Sequence, residues 1–177
     1  MSGANGASGG MAILWRPEVL EVTNFFLECN WQWFRLYVKQ LHCSFSVFNI
    51  YGPNNNVQKR FLWQSLSTRL EGLGREVAIL GGDFNAILNP GDKKGGKGWI
   101  SESQKDFSNF VNQNGLIDVQ FKKGECTWTN RREGFVNIAK KLDRFLVAGN
   151  WAETDWSCSA EILPFQGSDH FPICLRF

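Results

Sequence analysis

The chain has 177 residues, 43% of them apolar and 14% aromatic, with a formal net charge of +2. That length suits one domain with a substantial core, and no apolar run approaches the roughly 20 residues of a membrane-spanning helix. The charge is too small to argue for nucleic acid by itself. The five cysteines have no C-x-x-C spacing, which points to reduced thiols in an intracellular compartment, nucleus or cytoplasm, over disulfides or zinc.

Met1 to Gly10 is rich in Gly, Ala, Ser and Asn and lacks the basic-then-apolar order of a signal peptide. Residues 1–7 are expected to form a flexible terminus ahead of one domain, residues 8–177. Gly9 to Trp15 reads as a strand closed by Pro17. Glu18 to Glu28 and Phe34 to Lys39 alternate partially, and Phe45 to Tyr51 is a clearer strand ended by Gly52-Pro53. From Val57 the period becomes helical, through Phe61/Leu62, Leu66 and Leu70, behind asparagines suited to capping. Val77 to Leu80 is a short apolar strand of the kind buried on both faces. A loop rich in Lys and Gly follows, Gly91 to Gly98. Ser101 opens a second helix, with Gln104 placed for a capping box and Gly115 as the stop. Its inner face is expected at Phe107, Phe110 and Val111. Cys126 to Thr129 and Phe135 to Ala139 suggest a hairpin turning at Gly134. Leu142 to Val147 and Phe171 to Phe177 read as further strands. Strands outnumber helices, which suggests stacked sheets with helices outside.

Three polar clusters stand beside these strands: Gly82-Asp83-Phe84-Asn85, Leu142-Asp143-Arg144 and Ser168-Asp169-His170. Each alone is equally a turn, because Gly, Asp, Asn and Ser are turn formers. Together they supply what phosphodiester hydrolysis needs: carboxylates for a cation, a His for protons, and an amide to orient oxygens. Alternation in an extended backbone puts Asp83 and Asn85 on one side. Asp143 is placed to hold the His170 tautomer, whereas His42 reads as structural. Lys93, Lys94 and Lys97, with the pairs Lys122-Lys123, Arg131-Arg132 and Lys140-Lys141, are clusters of the kind phosphate backbones attract.

With Tyr51-Gly52-Pro53-Asn54 ahead of the other three motifs, the order resembles the endonuclease/exonuclease/phosphatase superfamily, which includes pancreatic deoxyribonuclease and the abasic-site repair nucleases. Ser8 to Ala12, Thr127 to Asn130 and Asn150-Trp151 look most like the endonuclease domain of plant-type non-LTR retrotransposon polyproteins. The resemblance implies an α+β four-layer sandwich, two mainly antiparallel sheets flanked by helices. It implies Mg²⁺-dependent DNA nicking, with Mn²⁺ as a substitute, and a fused or separate reverse transcriptase that uses the 3′-hydroxyl.

Position by position, the resemblance makes Tyr51 a contact to the scissile phosphate and Asp83 the group that activates water. Asn85 fixes that water or the phosphate, and Asp143 braces the site. Asp169 hydrogen-bonds His170 or binds the metal, and His170 binds a phosphoryl oxygen or shuttles a proton. Lys93, Lys94, Lys97, Trp128 and Asn130 are expected to contact substrate.

The family carries an Asn and its principal Mg²⁺-binding Glu upstream of the Ser-Gly-Gly motif. Here the seven residues before Ser8 include no acid, and Glu18, Glu21 and Glu28 follow the motif. The expectation is a sheet short of one or more strands, exposed apolar surface and weakened Mg²⁺ binding. The alternatives are an inactive remnant that binds nucleic acid and a phosphatase of the same superfamily.

Overall fold

The computed structural model describes residues 10–96, 101–148, 151, 157–164 and 167–177. Residues 1–7, Ser8, Gly9, Lys97 and Asn150 lie outside these, so the expectations resting on them fall outside the described residues. A hairpin opens the fold: β1 (Leu20–Leu27) and β2 (Trp31–Val38) pair antiparallel with a bulge between Val22 and Asn24. β3 (Cys43–Tyr51) continues the meander. The chain then crosses through α1 (Asn56–Glu71) into β4 (Ala78–Asp83), which lies parallel to β3. Parallel neighbours require such a crossover.

The loop after β4 leads through β5 (Lys93–Lys94) to α2 (Glu102–Gln113) and β6 (Ile117–Asp118). β7 (Trp128–Thr129) and β8 (Ala139–Lys140) form a short pair, and β9 (Asp143–Ala148) returns to the main sheet. β10 (Ser159–Ile162) and β11 (Ile173–Arg176) pair with each other. The result is a six-stranded sheet ordered β1-β2-β3-β4-β9-β6, a three-stranded sheet β5-β8-β7 and the β10-β11 pair.

Strand alternation divides the core in two. Trp31, Trp33, Phe48, Ile50, Ala78, Leu80, Leu146 and Ala148 point to the helices, where they meet Leu62, Trp63 and Leu66 of α1 and Phe107, Phe110 and Val111 of α2. The intervening positions, including Phe34, Leu36, Phe45, Ile79 and Val147, point the other way and pack on Val119, Trp151, Ala160 and Leu175. Helices, six-stranded sheet and β10-β11 pair are thus stacked layers of the expected α+β fold.

The helix starts follow their caps. Asn55 Oδ1 accepts from the backbone N–H of Val57 and Gln58 at 2.9 and 3.2 Å. Ser101 Oγ accepts from Gln104 N at 3.2 Å, but the Gln104 side chain donates to Leu88 O instead of returning to the cap. Half of the predicted capping box is therefore present. Gly115 takes φ +59°, the left-handed stop expected of it.

Other expectations fail for physical reasons. Among the described residues before Pro17, strand character is confined to Met11, and Leu14 and Trp15 are exposed. Gln32 donates to Met11 O and Asn49 to Ala12 O, and Ile13 packs on the second core. Phe135 to Asn137 joins no strand, and Ile138 is tied to Asn130, whose N–H donates to Ile138 O at 3.0 Å. Gly134 to Val136 is a 3₁₀ turn that leaves Phe135 fully exposed, and pairing resumes at Ala139. β10 has no clear sequence signal, yet its Ala160 is fully buried. All five cysteines are free thiols. None of the described helices is long and apolar enough to cross a membrane.

Candidate active site

The register of three neighbouring strands builds the floor of the site. Tyr51 stands opposite Asp83 in the parallel β3–β4 pair, and Asp83 stands opposite Asp143 in the antiparallel β4–β9 pair. In-register residues project from the same face of a sheet. All three therefore leave the sheet together, on the side away from the helices. They line a cleft of about 500 Å³ with Asn54, Asn85, Trp128, Lys140, Leu142, Asp169 and His170.

Asn85 reaches the cleft by a different route from strand alternation. It lies beyond β4 at φ +49°, a left-handed conformation that Asn tolerates. Three bonds hold it there. Its N–H donates to Asp83 Oδ1 at 2.8 Å, its side-chain amide donates to Gly52 O at 2.7 Å, and its carbonyl accepts from Lys59 Nζ at 2.6 Å. Gly52 is required beside it, because a Cβ there would sit 2.4 Å from Phe84 O.

His170 arrives from the bend before β11. It makes a bridge to Trp128, and the N–H of the next residue, Phe171, donates to Thr127 O at 2.7 Å. Its Nδ1 lies 2.8 Å from Asp143 Oδ2. An ionised carboxylate only accepts, so Nδ1 carries the proton, and Nε2 turns toward Asp83 Oδ2 at 4.0 Å. Asp143 is itself positioned by the buried Thr127, whose Oγ1 accepts from the N–H of both Leu142 and Asp143.

The charges are tuned by these contacts. Burial, then the facing Asp143 carboxylate, pushes Asp83 up to about 6 from its ordinary 3.8. The Asp143 hydrogen bond raises His170 above its usual value, against the opposing effect of burial. Burial lowers Lys59 and Lys140, and in Lys59 the Asp83 carboxylate works the opposite way. Asp169 is held below the ordinary carboxylate value, chiefly by the Trp128 indole N–H, which donates to it at 2.8 Å.

One ligand atom each from Asp83, Asp143 and His170 lies within 4.8 Å of the other two. Two part-buried carboxylates pressed together are a donor set a hard cation fits, since oxygen ligands suit Mg²⁺ and a cation relieves their repulsion. Asp169, the expected metal ligand, stands outside this group and is engaged with Trp128.

The remaining sequence candidates divide. Tyr51 and Trp128 line the cleft. Lys93 and Lys94 occupy β5 beside it, and Lys94 is ion-paired with Glu125. Asn130 closes the β7–β8 connection. Its amide donates to Val136 O, and its oxygen accepts from Arg132 N and Ile138 N. Lys122 and Lys123 border a separate cavity.

Three residues of the site were given no role from the sequence. Lys59 had a usable signal, since it precedes Leu62, Trp63 and Leu66 at helical spacing and so belongs to the buried face of α1. Thr127 had none. Arg144 is fully buried and joins Asp118, Asp92, Ala86 O and Lys141 O, which fixes the loop carrying Asn85 against β9.

Known proteins resemble this chain in sequence and in fold. The profile of the Endonuclease/Exonuclease/phosphatase family matches residues 2–170. The Transposon TX1 uncharacterized 149 kDa protein of Xenopus laevis is 26% identical over 166 residues, which are 91% of this chain and 12% of that protein. The endonuclease domain of TRAS1, a telomere-specific non-LTR retrotransposon, superposes with a TM-score of 0.68 at 14% identity, over 88% of this chain and 67% of that one. A mannosyl-6-phosphatase from Bacteroides thetaiotaomicron superposes with a TM-score of 0.54 at 17% identity, over 92% of this chain and 69% of that one. The likeness to the two solved structures establishes the fold alone, and the chain spans a small part of the TX1 protein. The family match extends over nearly the whole sequence and takes in all four motifs that meet in the cleft, and on that ground the chain belongs to the endonuclease/exonuclease/phosphatase family.

Proposed function

We propose that this domain, residues 8–177, hydrolyses a phosphodiester bond of DNA as a Mg²⁺-dependent nicking endonuclease of the retroelement type. The observation that carries the reading is the meeting of Asp83, Asp143 and His170 within one cleft, with Tyr51 and Asn85 beside them. A mixed arrangement of acid, amide, phenol and imidazole handles water and an anionic ester together, and Lys140 supplies positive charge in the same cleft.

The residues divide the work. Asp83 is the base that orients the attacking water and takes its proton. Asn85 sets the position of that water or of the phosphate. The Tyr51 hydroxyl contacts a phosphoryl oxygen. Asp143 accepts the His170 Nδ1–H and turns Nε2 toward the reacting group, and in the protonated imidazolium Nε2–H donates to a phosphoryl oxygen or to the departing oxygen. Asp83 and Asp143 would hold Mg²⁺, with Mn²⁺ as a substitute, and Asp169 lines the same cleft. Such an ion, when bound, neutralises phosphoryl charge and stabilises the leaving oxygen. Trp128, with Lys93, Lys94 and Lys97, would receive the strand on either side, and a reverse transcriptase would use the 3′-hydroxyl left by the nick.

Nicking of supercoiled plasmid tests the proposal. It requires conversion to open circles with Mg²⁺, loss with EDTA and loss in His170→Ala. No conversion with any divalent metal would leave a nucleic-acid-binding domain without turnover. Phosphate release from a small monoester without nicking would favour a phosphatase, an activity that the name of the Bacteroides structure attaches to the same fold.

A further inference from the structure

The sequence pair Lys140-Lys141 separates into two different environments. The Lys141 side chain is 5% exposed, and its Nζ donates to Asp118 at 2.9 Å. It is part of the buried network around Arg144. Lys140 points the other way and lines the cleft with Tyr51, Asp83, Asp143 and His170.

Lys140 occupies the middle of a cross-strand row. In the three-stranded sheet it stands opposite Lys93 on one side and opposite Trp128 on the other. Like charges directly opposite each other on paired strands are destabilising. Lys140 is half-buried as well, and burial followed by Lys93 lowers its pKa. Its ammonium sits 5.3 Å over the Trp128 ring, a contact that orients the cation without neutralising it. Among the described residues no carboxylate forms an ion pair with it, although three aspartates share the cleft. The indole that carries Lys140 on its face also holds Asp169 through its N–H, which fixes the ring's orientation.

A cation aimed into an acid-lined cleft beside a second lysine, and left without a counterion, is matched by an anion from outside. We propose that Lys140 binds a phosphate of the nucleic-acid strand at the cleft, with Trp128 as the platform that positions its ammonium. The proposal rests on the phosphodiester reading above and assigns Lys140 as a substrate-binding residue of that site.

The test is binding of the full chain to a short DNA duplex in EDTA, followed by fluorescence anisotropy across a salt series. Each phosphate neutralised adds about 0.9 to the slope of log affinity against log salt. Lys140→Gln is expected to flatten the slope by about that amount. From about 50 to about 200 mM salt its affinity then falls about 3.5-fold less than that of the unaltered chain. Lys140→Arg keeps the slope, and Lys105→Gln, an exposed change on α2 outside the cleft, leaves it unaltered. A Lys140→Gln slope equal to the original overturns the assignment while leaving the DNA reading intact. Equal flattening in Lys105→Gln overturns it too, by showing diffuse charge rather than a contact. An unaltered chain that does not bind DNA overturns the DNA reading itself, and this assignment with it.

Discussion

Asp83→Asn should make the protein more stable as it abolishes nicking. Asp83 has 12% of its side chain exposed and faces Asp143 across the β4–β9 pair. Raising its pKa from 3.8 to about 6 corresponds to about 3 kcal/mol of native-state cost for the ionised form. The sign follows from linkage. A carboxyl with a folded pKa above its unfolded one favours the protonated native state. This contribution is present below about 3.8, is lost as pH rises to about 6, and the cost is then complete. Asn keeps an acceptor for the Asn85 N–H and removes the charge. Urea unfolding in EDTA should therefore show Asp83→Asn more stable by about 3 kcal/mol at pH 8, by roughly half that at pH 5, and by little at pH 4. In thermal unfolding near pH 8 the gain is roughly 6–12 °C for a chain of this size. An Asp83→Asn protein equal to or weaker than the original at pH 8, or a gain that does not change with pH, would refute the reasoning.

Asp143→Asn removes the contact that raises His170. If protonated His170 is needed, the alkaline limb of the nicking profile should move to lower pH, and a pH-rate series checks this. Arg144→Met leaves Asp92 and Asp118 without the guanidinium that bridges them. A loss of about 3–5 kcal/mol in urea unfolding is expected, and a loss under about 1 kcal/mol would contradict the bracing role. Gly52→Ala places a Cβ against Phe84 O. It should cost roughly 1–3 kcal/mol as an overpacked contact and reduce nicking more than its effect on folding explains, by shifting Asn85.

The parts of the molecule that were legible in sequence share a property: their information is local. The β3 and β4 runs end at Tyr51 and Asp83, and the register of neighbouring strands brings those ends together without further instruction. Caps at Asn55 and Ser101 are read within three residues. The parts that were not legible depend on distant partners. Thr127 meets Asp143 across 16 residues, and Arg144 meets Asp92 across 52. No periodicity encodes either. Asp169 lines the cleft with the Trp128 indole bonded to it, whereas Asn130 is engaged in the turn between β7 and β8. Phe135 to Ala139 has strand-like composition, yet Gly134 at φ +61° starts a turn that removes Phe135 from any ladder.

The two like-charged cross-strand pairs, Asp83 with Asp143 and Lys93 with Lys140, have a thermodynamic consequence when taken together. Each is a separate store of repulsion in the unliganded cleft. A cation relieves the first, and an anion relieves the second. Each ligand, once seated, also attracts the other. The two binding equilibria are therefore linked, and the linkage is reciprocal: whatever factor a divalent cation adds to nucleic-acid affinity, nucleic acid adds to cation affinity.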